Sequence, residues 1–142
     1  PGGLTAKEMN YFCGKCHRPP GSDGSKVDWN YSWNVRHQPL YLDWSRCFQN
    51  SAGALSCASC HDAHQPLRKN DPAYYNEKCR TCHSARVRPP SAECREDSGG
   101  GCAGCHMPAV SPQAYLRFTN HWIGVYGPGS RLTPESKRPN RR

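Results

Sequence analysis

Four stretches of this sequence share one spacing. Cys13-Gly-Lys-Cys16-His17, Cys57-Ala-Ser-Cys60-His61, Cys79-Arg-Thr-Cys82-His83 and Cys102-Ala-Gly-Cys105-His106 all read C-x-x-C-H. A shuffled chain of this composition would hold roughly 0.03 copies, so the repetition is not accidental. Eight of the ten cysteines and four of the seven histidines are committed to it. Whatever these motifs hold must sit at the middle of the fold.

The spacing suits one chemistry best. Two thiols three positions apart lie on one turn of chain, and each can add across one vinyl group of a haem. The adjoining histidine then swings beneath the ring and gives its imidazole to the iron. Zinc is the competing reading, since four C-x-x-C pairs make two four-cysteine sites, but zinc has no use for a histidine after every second cysteine. Thioredoxin-like chemistry needs one such pair between a strand and a helix, not four in a loop-rich chain. A pure disulfide framework accounts for neither the spacing nor the histidines. The expected cofactor is therefore haem c, four times, held by Cys13 and Cys16, Cys57 and Cys60, Cys79 and Cys82, and Cys102 and Cys105. The proximal iron ligands are then His17, His61, His83 and His106.

With these motifs the chain resembles the multihaem c-type cytochromes, and the resemblance spans residues 13–106. The stretches NVRHQP at 34–39, CHDAH at 60–64 and FTNHWIGVY at 118–126 are similar to segments of tetrahaem modules in larger bacterial multihaem proteins. Small tetrahaem electron carriers and subunits of extracellular cytochrome filaments are similar in size and haem density. Composition agrees. The apolar fraction of 35% is below the roughly 45–50% of an ordinary globular domain, too little for a large hydrocarbon core. The expected fold is mainly irregular with short α-helices, haem-cored, with little or no β.

Three histidines remain: His37, His64 and His121. His64 follows His61 by three residues, so on a helical turn the two share a face. It cannot cross to the far side of a ring that His61 already holds, and the productive reading is the iron of a neighbouring haem. Its bland alternative is a solvated or propionate-bonded side chain. His37 and His121 are candidate distal ligands too, against the alternative of ordinary surface or loop histidines. Three spare histidines leave one of four irons short. The candidates for that position are Met9, Met107, a lysine, a water or a vacancy. Met9, four residues before Cys13, is the better thioether, although a methionine near a haem is more often packing.

Cys47 and Cys94 belong to no motif. Haem c is attached outside the cytoplasm, where disulfides persist, so a Cys47–Cys94 bond is expected, with two buried thiols as the alternative. Closing that loop contributes about 4 kcal/mol in the loop-entropy treatment.

Along the chain, Thr5 and Glu8 form a capping box that starts a helix over 5–17. Residues 19–25 are loop, and Trp29, Tyr31 and Trp33 lie against porphyrin or form ordinary core. Residues 40–49 are a short helix, and Asp71-Pro72 launches the helix that carries the third motif. Residues 91–101 are loop, and Ser111-Pro112 starts a helix over QAYLRF. No segment shows strand alternation. The motifs start 44, 22 and 23 residues apart, which suggests two similar units in the second half. Residues 1–126 form the haem domain, and 127–142 read as an extended or disordered basic arm.

The formal charge of +8 largely offsets the eight propionates that four haems bring, so a nucleic-acid role falls away. No apolar run approaches the roughly 20 residues that span a bilayer. The opening PGGLTAKEMNYF has no basic stretch followed by an apolar one, and the expectation is a mature exported chain or an excised piece, periplasmic or extracellular. The expected function is electron transfer with redox partner proteins, as a self-assembling filament subunit or a soluble periplasmic shuttle. The enzymatic alternative is reduction of a small nitrogen or oxygen species at a haem with an open position. Ligand sensing would need an output domain, and the sequence shows none.

Overall fold

The computed structural model describes residues 3–21, 23–83 and 101–135. Helix α1 (Ala6–His17) begins where the capping box places it. Thr5 Oγ1 accepts from the Glu8 amide, and the Glu8 carboxylate accepts from the Thr5 amide at 2.8 Å. It stops at Arg18, which takes a left-handed φ of 66°. The helix expected over 40–49 is two helices, α2 (Gln38–Asp43) and α3 (Arg46–Gln49). Ser45 divides them: its Oγ donates to the Leu42 carbonyl at 2.7 Å and accepts from the Phe48 amide at 3.2 Å. A serine that closes one helix and caps the next breaks a run that periodicity alone would join.

Helix α4 (Cys57–Cys60) is a single turn, α5 (Pro72–His83) starts from Asp71 as expected, and α6 (Gly101–His106) follows. Asp71 Oδ1 accepts from the Tyr74 amide at 3.0 Å.

The helix expected from Ser111-Pro112 is instead a β-hairpin. Strand β1 (Ala109–Gln113) runs antiparallel to β2 (Leu116–Thr119), with Ala109 opposite Thr119 and Val110 opposite Phe118. The ladder is irregular between Val110 and Gln113, where Pro112 has no N–H to donate. Val110 and Phe118 pack on Val35 and Tyr41, so a tertiary contact overrides the local helix-start signal. The molecule is thus mostly helical and irregular, with one two-stranded sheet among the described residues.

Its apolar core is small. Val27, Val35, Leu40, Tyr41, Leu42 and Val110 are the buried hydrophobic residues among those described. Around them lies an aromatic knot in which the Trp29 ring meets Tyr41, Trp44 and Trp122 at 4.9–5.2 Å. Trp29 is therefore core, Trp33 packs beside Phe118, and Tyr31 is exposed.

The segment from 127 folds back rather than extending. The Glu135 amide donates to the Val125 carbonyl at 2.7 Å, and Leu132 packs against the core. The folded body continues to Glu135, and 136–142 lie outside the described residues. No helix among the described residues is long and apolar enough to cross a membrane.

Candidate cofactor-attachment and metal-binding site

Each C-x-x-C-H motif owns a helical turn. The first and third occupy the C-terminal turns of α1 and α5, the second makes up α4, and the fourth fills α6. His17, His83 and His106 are the last residues of their helices, whereas His61 follows α4 in extended backbone (φ −121°, ψ 131°). Gly14 in the first motif is buried, and a Cβ there would stand 2.5 Å from Pro19 Cα. The chain after the motif doubles back under it, which a side chain at 14 would block.

The motifs lie in pairs. Helix α1 packs on α4, and α5 packs on α6. Across the first pair the Asn10 carbonyl accepts from the Cys57 amide at 2.8 Å, and across the second the Asn76 carbonyl accepts from the Cys102 amide at 2.7 Å. The Cys57 thiol has Cys13 as a neighbour, and the Cys79 thiol has Cys102. Burial, then the neighbouring sulfur, raises the Cys57 pKa. The same causes push Cys79 up to about 11, and burial raises Cys60. These thiols stay protonated at neutral pH, unlike the lowered, thiolate-forming cysteines of disulfide exchange. Helix α4 also meets α5, which joins the two pairs. The motifs thus pack first with second and third with fourth.

Two histidines from distant parts of the chain come together. The rings of His61 and His121 lie 6.1 Å apart with 39° between their planes, and Tyr75 flanks His61 at 5.9 Å. His121 Nδ1 lies 2.9 Å from the Thr119 carbonyl, which fixes Nδ1 as the protonated nitrogen and leaves Nε2 as the donor to a metal. Some of the residue reaches solvent, yet protein surrounds the imidazole. Burial pushes its pKa down to about 4, with His61 and His17 nearby lowering it further and the Thr119 bond opposing. Burial lowers His61 as well. Both rings are neutral at pH 7, the form that binds a metal.

Asn120, fully buried, holds this segment. Its Nδ2 donates to the Arg131 and Leu132 carbonyls, both at 2.9 Å, and its Oδ1 accepts from the Trp122 amide at 2.9 Å. His106 is fixed against the same segment: its Nδ1 lies 2.8 Å from the Gly124 carbonyl, and the Gly124 amide donates back to the His106 carbonyl at 3.1 Å. A Cβ at Gly124 would stand 2.6 Å from Pro134 Cβ.

The other candidates are more scattered. His37 is half-buried at the start of α2 with its Nδ1 unpartnered, and burial, then Arg18 and Arg36, lowers its pKa. His64 is exposed in the turn after α4, its amide donating to Asp62 at 2.9 Å. His17 and His83 are exposed at their helix ends, Met9 is half-buried on α1, and Met107 is half-buried just after α6. Cys47 lies within electrostatic reach of Cys60 and Cys79, and Cys94 falls outside the described residues.

The donor set can be tested against the expected groups. Among the described residues no three His, Cys, Asp or Glu side chains converge as a tetrahedral zinc site requires. A porphyrin supplies four donors itself, so two imidazoles complete an iron. An imidazole nitrogen sits about 2 Å from its metal and about 1 Å from its ring centre, so imidazoles on opposite faces of one iron have centres about 6 Å apart. The separation of His61 and His121 fits, and the orphaned Nδ1 of His37 is a buried polar atom that a bound group would satisfy.

Sequence reasoning missed Asn10, Asn76, Asn120 and Gly124. A signal existed for two of them: Asn stands three residues before the first cysteine of the first and third motifs, giving N-x-x-C-x-x-C-H twice. No family model, no curated protein and no solved structure matches the chain.

Proposed function

We propose that this chain is a four-haem electron-transfer protein of the multihaem c type, acting in the periplasm or outside the cell. The observation that carries the reading is the His61–His121 pair beside the four C-x-x-C-H turns: two neutral imidazoles spaced for one iron. Haem supplies reversible one-electron exchange between ferric and ferrous iron. The chain's residues do the rest. Cys13, Cys16, Cys57, Cys60, Cys79, Cys82, Cys102 and Cys105 anchor the four groups, and His17, His61, His83 and His106 offer the proximal imidazoles. His121 offers the distal imidazole opposite His61, while His37 and His64 are the donors left for two further irons. Thr119 and Asn120 fix the tautomer and position of His121, in the way that hydrogen-bonded supports orient metal-ligating histidines. The small apolar core is consistent with a wrapper whose centre is filled by cofactor.

Mass spectrometry of denatured protein tests this directly. The expected result is four covalently retained haems, and a chain that releases all its pigment, or carries none, sinks the reading.

The histidine count supports a second reading at one position. Seven histidines against eight axial places leave one iron with Met9, another donor or an open face. An open face would suit reduction of a small nitrogen or oxygen species, and its mark is a high-spin iron that binds cyanide. Four low-spin irons favour the carrier. Within the carrier reading, a filament subunit joined through haem-to-haem contacts is preferred to a free shuttle, and electron microscopy at micromolar concentration separates them.

A further inference from the structure

We infer that Asn10 and Asn76 are a matched pair of clasps, each holding two attachment motifs side by side so that their cofactors work as a coupled pair. This rests on the four-haem reading above and adds to it a division into two units, first with second and third with fourth.

The same construction occurs twice. Each asparagine lies three residues before the first cysteine of its own motif and bonds the backbone of the first cysteine of the next motif. Beside each bond the two first cysteines are neighbours, Cys13 with Cys57 and Cys79 with Cys102. The amides of Cys57 and Cys102 belong to the first turns of α4 and α6, where N–H groups have no partner within the helix. Helices of four and six residues do not persist alone, and each of these two receives a bond from a side chain of a longer neighbour.

Asparagine inside a helix is a poor choice on propensity, so its use at the same place in α1 and α5 calls for a reason. Asn10 is 1% exposed, and its carbonyl is spent entirely on the Cys57 amide. In the second clasp Gly101, at a φ of +77°, leaves the room that Asn76 needs, since a Cβ there would lie 2.9 Å from its amide. On the four-haem reading each first cysteine would anchor one edge of a haem, so two neighbouring anchors would hold their two porphyrins close together.

Asn10→Leu and Asn76→Leu keep the side-chain size and remove the acceptor, whereas Asn10→Asp and Asn76→Asp keep it. In the four-haem protein each Leu variant is expected to lose part of the exciton couplet in Soret circular dichroism. The double Leu variant loses the sum of the two, and the Asp variants retain the couplet. Leu variants that carry four haems with an unchanged couplet overturn the clasps while leaving the four-haem reading intact. A wild-type chain without covalent haem overturns both. Should the Leu variants load fewer haems, wild-type amide exchange decides. The Cys57 and Cys102 amides are expected to exchange at least about tenfold more slowly than unbonded ones. Unprotected exchange at either overturns its clasp.

Discussion

The imidazoles of His61 and His121 lie 6.1 Å apart, centre to centre, although one closes the second motif and the other comes after the hairpin. Thr119 fixes the tautomer of His121, and burial keeps the ring neutral. Tertiary structure thus brings together two imidazoles from distant parts of the chain.

On the four-haem proposal, replacing His121 by alanine should convert one low-spin iron to high spin and leave the others unchanged. Replacing it by methionine should keep that iron low-spin and raise its midpoint potential, by tens to hundreds of millivolts, within the range of about 0.8 V that axial ligands span. Electron paramagnetic resonance and a redox titration check both. A spectrum indifferent to either substitution would remove His121 from the ligand set.

The acid behaviour of the same group follows from its depressed pKa. A histidine that titrates normally at 6.5 and here near 4 stabilises the folded state fully above 6.5, and that contribution is lost as pH falls through 4. The denaturant midpoint of the haem-free chain should therefore hold above pH 6.5 and fall as the pH is lowered towards 4, and the fall should be smaller in His121→Ala. An equal fall in the two chains would contradict the buried environment.

Asn120→Ala leaves two carbonyls and one amide without their partner in a buried place. The expected loss of stability is about 2–4 kcal/mol, read from the denaturant midpoint. Asn120→Asp keeps the bond to the Trp122 amide and should lie between alanine and wild type.

Gly14→Ala should destabilise by about 1–3 kcal/mol, because the added carbon meets the backbone of Pro19. The corresponding places in the other motifs hold Ala58, Arg80 and Ala103. Thermal unfolding of Gly14→Ala against Ala58→Gly and Ala103→Gly should single out position 14.

If the proposed eight thioether bonds form and Cys47 is joined to Cys94, alkylation of the unfolded, unreduced chain should modify no cysteine. Two modified cysteines, mapped to 47 and 94, would mean that these are thiols.

Where the chain states its structure locally, the sequence was readable. Thr5 with Glu8 announces α1, and Asp71 with Pro72 announces α5, because each device is completed within one turn. The hairpin was not legible. Ser111-Pro112 imitates a helix start, and only the packing of Val110 and Phe118 against Val35 and Tyr41 decides for strands. The four C-x-x-C-H turns could be located from spacing, whereas the neighbour of His61 could not, since nothing local links it to His121. The motif pairing was half visible: the repeated Asn-x-x-Cys lay in the sequence, but its bonding partners are 47 and 26 residues away.

Helix α4 consists of nothing but Cys57–Cys60. On the proposed function, the element and its attachment point are the same four residues, and so short a turn gains permanence only from what it is fastened to. Until it is loaded, this turn is held by its own serine cap and by the Asn10 carbonyl, so it would be the first element to open in a chain that has missed its pigment.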